Sequence, residues 1–482
     1  MSDARAGGRR RFSLRSLGSF ERILLLIVLV ALAGRITYIA VAKTEGDSCG
    51  RNLCGDALFY SGEANIVARG RGFQELDLSG RAAADHPPLT VVVLAITNLP
   101  FLWTTAGDNP VPGGLPPPNM FVQRLTMALL GAAVVGLLGL LGRRLAGRRA
   151  GLIVAGLAAI NPNFWMNDVL PMSETLATLA VVVIILGIYR FIDRPSTGRA
   201  AFLAVTMGLA ILARAELALL IPLAIAPAVL MVRSLSWPAR VGRIALVGVG
   251  AGLLLVPWFL FNQTRFSEPV LLSTNDGITL LGANCDAVYG IPDEGGIGFW
   301  NLGCPWALAD QIPPGADQSV VSGIYRRAGL EYIRNHKRLL PRVETIRLAR
   351  AWGVFAPDQM VWLNQGEGRD AWASWSGYAM WWLLLPGSVV GAVVLRRRRV
   401  PVWPLVSTAL VVSVTVVVFY GIVRFRLPAD VAAVVLAGVA VDALIRRLRH
   451  EGADPAPPAT DHLDPAGDAA TPEATREAVA TS

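Results

Sequence analysis

The sequence predicts a mainly α, polytopic membrane protein: about ten transmembrane helices, interfacial helices in a first outer loop, and a small α-rich outer cap. Three observations predict it. The chain is 53% hydrophobic and only 16% charged, outside the range of soluble globular domains. Apolar runs near the length that crosses the hydrocarbon, about 17–25 residues, recur along most of the sequence. Basic residues gather in the short turns between alternate runs.

The elements follow in order. Residues 1–21 form a basic N-terminus with Arg9, Arg10 and Arg11, and the first span covers 22–42. Ala31-Leu32-Ala33 looks like a signal cleavage site, but the apolar run continues to Ala42 and reads as a retained helix. A first outer loop, 43–119, comes next. Within it, 56–70 can form a helix with Asp56 and Glu63 two turns apart on one face. Residues 88–103 are apolar but short, opened by Pro87-Pro88 and followed by the Pro/Gly-rich 110–118, which suits a helix lying in the interface. A crossing there would move every later basic cluster outside.

Further spans are expected at 120–141, 150–166, 172–191, 200–213, 216–232 and 243–261, completing a membrane module over 22–261. A second outer segment, 262–376, contains an amphipathic stretch from 318 to 355 that reads as a surface helix on the membrane, with direct substrate contact as the other reading. The last spans lie at 377–395, 401–420 and 428–446 within the C-terminal unit 377–446. The tail, 447–482, is rich in Ala, Pro, Thr, Asp and Glu and is expected to be disordered and cytoplasmic.

Arg143/Arg144/Arg148/Arg149, Arg190/Arg194/Arg199, Arg233/Arg240/Arg243, Arg396 to Arg399 and Arg446/Arg447/Arg449 fall on one side if the spans alternate. By the positive-inside rule that side is cytoplasmic, as are both termini. The net charge of +9 is therefore a topology signal spread over short turns, and nucleic acid is not an expected partner. The four cysteines fall outside, Cys49 with Cys54 and Cys285 with Cys304, and suggest two loop disulfides in an oxidising compartment. Four unrelated thiols or a metal site are the alternatives; no Cys-x-x-Cys spacing favours metal.

The stretch after the first span carries the chemistry. Gly55-Asp56-Ala57-Leu58-Phe59-Tyr60 is followed by Asp85-His86-Pro87-Pro88-Leu89. Acidic groups and an imidazole at a lipid interface are costly, and read as an active site on the outer surface. No phosphate-binding Gly loop follows a strand, and no Asp-x-Asp pair of the kind that holds a nucleotide-sugar metal occurs. A soluble nucleotide donor is disfavoured.

These motifs resemble the polytopic, lipid-donor glycosyltransferases of the GT-C group, glycosyltransferase family 39, which includes the protein O-mannosyltransferases and the lipid A aminoarabinose transferase. The Asp56 region resembles the acidic motif of the first outer loop, and His86-Pro87-Pro88-Leu89 a juxtamembrane helix start. Ser173-Glu174-Thr175-Leu176 resembles a recurring Ser-Glu element. Pro257-Trp258 with Asn262, followed by Pro269-Val270 and Ser273-Thr274-Asn275 with Gly277, resembles the stretch leaving the seventh span; Arg424-Phe425-Arg426-Leu427-Pro428 resembles the Arg-aromatic-Arg before the last. The set covers most of 20–446. Phe261 stands where related proteins commonly have Arg, so a phosphate or sugar contact from that position is absent here or made elsewhere.

The resemblance implies an inverting transfer from a polyprenyl-phosphate-linked sugar to a cell-envelope glycan, lipid or protein acceptor at the outer face of the cell membrane. Asp56 is then the candidate general base, while capping of its own helix is the other role open to it. Arg424 and Arg426 are candidates for the lipid phosphate, against interfacial anchoring. Asp85 and His86 could orient the donor, bind a divalent ion, or hydrogen-bond each other. Glu174 has sugar or acceptor binding and helix capping open to it, and Asn262 is a further substrate-binding candidate. Arg214 with Glu216 reads as a local ion pair, and His336 as structural. No cofactor is called for beyond the divalent ion left open. The rival class is a transporter or lipid flippase, which should show an internal repeat and ionisable residues near mid-membrane. A ligase moving whole glycans would need a larger groove.

Overall fold

The computed structural model describes residues 18–43, 55–77, 79–101, 120–291 and 295–450. Cys49, Cys54 and the tail from residue 451 lie outside the described residues. Helices account for nearly all regular structure; among the described residues only an isolated bridge, Gln74 with Ala82, has β character.

The first span is α1 (Ser19–Ala42), followed by α2 (Asp56–Ala68) and α3 (Leu89–Asn98), which pack against each other. The membrane bundle continues with α4 (Met120–Ala146), α5 (Arg148–Ile160), α6 (Ser173–Asp193), α7 (Thr197–Ala213), α8 (Ala215–Met231) and α9 (Trp237–Gln263). The outer segment holds α10 (Asn275–Gly282), α11 (Gln318–Asn335), α12 (Leu340–Ala351) and α13 (Pro357–Gly366). The bundle closes with α14 (Ala371–Arg397), α15 (Trp403–Val418) and α16 (Leu427–Leu448), the last entered through a 3₁₀ turn at Val423–Arg426.

Six of these helices are long and apolar enough to cross a membrane: α1, α4, α6, α9, α14 and α16 with its entry turn. Three expected spans are shorter apolar helices, α7, α8 and α15. The span expected at 150–166 is corrected. α5 is 13 residues, about 20 Å, and so shorter than the stretch expected. It stops at Asn161-Pro162, where the Asn161 side chain accepts from the Asn163 N–H at 2.9 Å and starts a new short turn. In α8 the backbone passes from 3₁₀ to a π-turn to α-helix. Pro222 and Pro227, which lack a donor for the helical ladder, lie in this stretch.

The core sits where α6 and α16 meet α4, α5 and α14; 72% of the apolar window of each of α6 and α16 is buried, against 22% for α1 and 17% for α9. Most of the circumference of α1 and α9 is thus left for lipid. Close approach of α14 to α16 depends on Gly391, where a Cβ would lie 1.9 Å from the Leu436 carbonyl oxygen. An ion pair is sealed in this interior. Arg35 of α1 meets Asp168 at 2.7 Å, and Asp168 also accepts from Thr175 at 2.9 Å. Gly131 leaves room for that carboxyl, which a Cβ would meet at 2.1 Å.

The amphipathic stretch read as one surface helix is two, α11 and α12, broken at 336–339 with Pro341 opening the second. α11 packs on α10 and α12 on α15. Arg347 and Arg350 are buried, satisfying backbone carbonyls of Ala283, Val417 and Ile297. The Cys285–Cys304 disulfide ties this outer segment, as expected. His336 stacks on Tyr332 and is structural.

Candidate active site

Gly55 adopts φ +54°, a turn that suits a residue without a Cβ, and α2 starts directly after it. Asp56 is therefore the first helical residue, and its side chain turns to other elements rather than onto its own helix. Its Oδ2 lies 2.7 Å from Arg424 Nη2 and its Oδ1 lies 3.8 Å from His86 Nε2. Tyr60, one turn further along α2, packs its ring 4.5 Å from the His86 imidazole. Burial acts to raise the Asp56 pKa, but Arg424 and His86 outweigh it and hold the carboxyl well below the usual carboxylate range. Asp56 is ionised at neutral pH.

Arg424 is the hub. Besides Asp56, its Nη1 faces Glu367 Oε1 at 3.0 Å and Glu174 Oε1 at 3.7 Å. Its side chain is 8% exposed. Glu174 in turn takes Arg214 at 2.9 Å, and Arg214 takes Glu216 at 2.5 Å. Glu367 Oε2 takes Arg369 at 2.5 Å, and Arg369 donates to Asn167 at 2.8 and 3.0 Å. The Phe425 ring lies beside both the Arg214 and Arg424 guanidinium groups, 5.1 and 5.6 Å from them. Burial pushes the neighbouring Tyr420 hydroxyl up to about 12, so it stays protonated.

Below this charged ring a narrow cleft opens between α6, α8, α15 and the start of α16. Glu174, Arg214 and Arg424 stand at its polar end, and Ala177, Leu217, Val411, Val412 and Leu427 line the rest. The cleft is small, about 20 Å³, and its polar end also holds Glu216, so two carboxylates face two guanidinium groups there.

The structure thus gathers Asp56, His86, Glu174 and Arg424 into one cluster. It does not bring Arg426 there. In a 3₁₀ turn residues two apart point in widely different directions, and Arg426 runs into the bundle, 3.5 Å from Asp430 and over the Trp381 ring at 4.2 Å. Asp85 accepts from Gln318 at 3.1 Å, tying the first outer loop to α11. Asn262, fully buried, lies beside Arg265, whose guanidinium stacks on Phe261 at 4.4 Å and donates to the Ala83 carbonyl at 3.0 Å. One turn after Phe261, a cation is thus present, but it serves the loop backbone. Among the described residues, no three His, Cys, Asp or Glu side chains gather in an arrangement that could hold a metal ion.

Glu367, Arg369 and the reach of Arg214 to Glu174 are not among the sequence-derived candidates. Tyr60 was findable from its spacing of four from Asp56 on one helix face. Glu367 had no local signal, since it reaches the site only because α13 ends there.

Residues 117–261 match the family model described as dolichyl-phosphate-mannose-protein mannosyltransferase. That range contains Glu174 and Arg214; Asp56, His86, Asn262, Glu367 and Arg424 fall outside it. No curated protein sequence matches the chain. Among solved structures, the Archaeoglobus fulgidus oligosaccharyltransferase in the apo form is similar at 14% identity and TM-score 0.51, over 92% of this chain and 53% of its own. The same enzyme tethered to an acceptor peptide is similar at 13% identity and TM-score 0.50, over 89% of this chain and 50% of its own. ArnT from Cupriavidus metallidurans bound to undecaprenyl phosphate is similar at 17% identity and TM-score 0.41, over 88% and 78%. This chain spans about half the length of the archaeal enzyme, and shares its membrane fold.

Proposed function

We propose that the chain is a membrane glycosyltransferase that moves a sugar from a polyprenyl-phosphate-linked donor to an acceptor hydroxyl at the outer face of the membrane. One observation carries the reading: an ionised carboxylate, Asp56, held beside a guanidinium, Arg424, at the polar end of a cleft with apolar walls. The family model matched by residues 117–261 describes lipid-phosphate-linked mannose chemistry, which supports the same donor class. Sugar and acceptor are not assigned.

The geometry supports a role for each residue. Arg424, with Arg214 behind it, takes the donor phosphate. Asp56 accepts the proton of the attacking hydroxyl as its oxygen bonds to the anomeric carbon. The bond between that carbon and the phosphate oxygen breaks, and its electron pair leaves on the phosphate, against Arg424. His86, packed on Tyr60, orients Asp56. A strongly ion-paired carboxylate is a weak base, so drawing Arg424 onto the phosphate strengthens Asp56 only once donor is bound. The positive-inside pattern supports cytoplasmic termini and a site on the outer face.

Radiolabel transfer from a panel of polyprenyl-phosphate sugars, in membranes carrying wild type or Asp56→Asn at equal expression, tests the reading. Transfer by wild type is expected to fall by a factor of about 10³ or more in the variant. Retained transfer would remove Asp56 from the chemistry. Absence of transfer by purified wild type across the panel, with a broad acceptor extract, would favour a flippase.

A further inference from the structure

Glu367 is the one carboxylate on Arg424 that comes from the outer segment and not from the membrane module. It lies just beyond α13 in a four-residue strap, Glu367-Gly368-Arg369-Asp370, whose members are fastened to different elements. Gly368 and Asp370 accept from Lys43 at 2.9 Å each, Asp370 also accepts from Tyr38, and Arg369 holds Asn167. The strap brings Glu367 against the turn that opens α2, its Cγ 3.7 Å from where a Cβ on Gly55 would stand.

Three carboxylates surround one guanidinium here, and a donor phosphate adds a further negative charge to the same place. Without an exchange of partners the ring would be over-supplied with anions in a water-poor site. The three are not equally free to yield. Glu174 is 2% exposed and fixed on α6 by Arg214. Asp56 is the proposed base. Glu367 already has its second oxygen on Arg369, 2.5 Å away and itself fully buried, so it keeps a cation when it releases Arg424. Its backbone N–H stays on the Leu363 carbonyl at 3.1 Å, and the side chain alone has to turn.

Resting on the reading of Arg424 as the phosphate ligand, we infer that Glu367 is a placeholder anion: it occupies, in the ligand-free site, the seat on Arg424 Nη1 that the lipid-linked phosphate takes. Donor binding exchanges one anion for another. The strap thereby makes phosphate affinity a property of the outer segment as well as of the membrane module.

The test is direct binding of undecaprenyl monophosphate to the full chain in lipid nanodiscs, for wild type, Glu367→Gln and Arg424→Gln. Removing a competing anion is expected to tighten binding in Glu367→Gln on the order of tenfold, equivalent to about 1.4 kcal/mol. Arg424→Gln is expected to lose it. A gain of affinity is not an effect that damaged packing produces. The double variant Glu367→Gln with Arg369→Gln, which leaves no stranded cation, gives the same gain if the single variant folds poorly. Binding by wild type that is unchanged or weaker in both Glu367 variants, but lost in Arg424→Gln, overturns the placeholder and leaves the donor site standing. Binding that survives in Arg424→Gln, or is missing in wild type, sinks the donor-site reading itself.

Discussion

At the residue scale, the interior shows what a charge costs away from water. Arg35 and Asp168 are both buried and satisfy each other. Arg35→Leu or Asp168→Leu alone leaves a stranded charge, and is expected to cost about 3–5 kcal/mol in unfolding experiments in detergent, with the double replacement costing much less. Glu63 is the contrary case: fully buried on α2, with no hydrogen-bond partner for Oε1. Burial first, and Asp85 second, push its carboxyl well above the usual range. The folded state therefore retains a proton that the unfolded chain releases above about pH 4.3, and stability falls as pH rises through the interval up to the folded pKa. Glu63→Gln should flatten that fall and stabilise the protein at neutral and alkaline pH, measured as unfolding temperature against pH. Asp56 and His86 stood out in the sequence as polar groups at a membrane exit, and Glu174 and Arg424 through the family resemblance; the structure brings the four together. Arg426 was paired with Arg424 by motif alone, and the 3₁₀ turn that separates them has no signature in the residues.

At the element scale, apolar length was legible and helix boundaries were not. The runs for α1, α4, α9 and α14 were read correctly because each apolar stretch outweighs the single polar residues in it, such as Arg35 and Arg124. α5 was overextended across Asn161-Pro162, since hydropathy averaged over a window ignores a single capping side chain. The amphipathic pattern of 318–355 marked helix correctly but could not say what the apolar face meets, and that partner is the outer segment itself. The contact between α14 and α16 supplies a test of packing. Gly391→Ala places a methyl group against the Leu436 carbonyl, and a loss of about 1–3 kcal/mol is expected, read as a lower unfolding temperature. An equal substitution at Gly248, where a Cβ meets nothing within 4 Å, should be silent.

At the scale of the whole molecule, basic turns and apolar spans together predict orientation. Alkaline phosphatase fused after Asp310 should be active, as expected for an outer location, and the same reporter fused after Arg397 inactive. The inverse pattern would move the Asp56 site to the cytoplasm. Neither composition nor spacing could reveal that the site closes through the outer segment, because Glu367 and Arg424 meet Asp56 only when α2, α13 and the entry of α16 are all in place.

That closure sets an order of events during synthesis. Asp56 emerges with the second helix, Glu174 and Glu367 follow, and Arg424 arrives only with the last. Until then Glu174 and Glu367 have only Arg214 and Arg369, and the three acidic groups lack the guanidinium that joins them. A chain interrupted before Arg424 would insert most of its helices yet leave this centre open, so the final helix acts as the latch of assembly as well as a wall of the bundle.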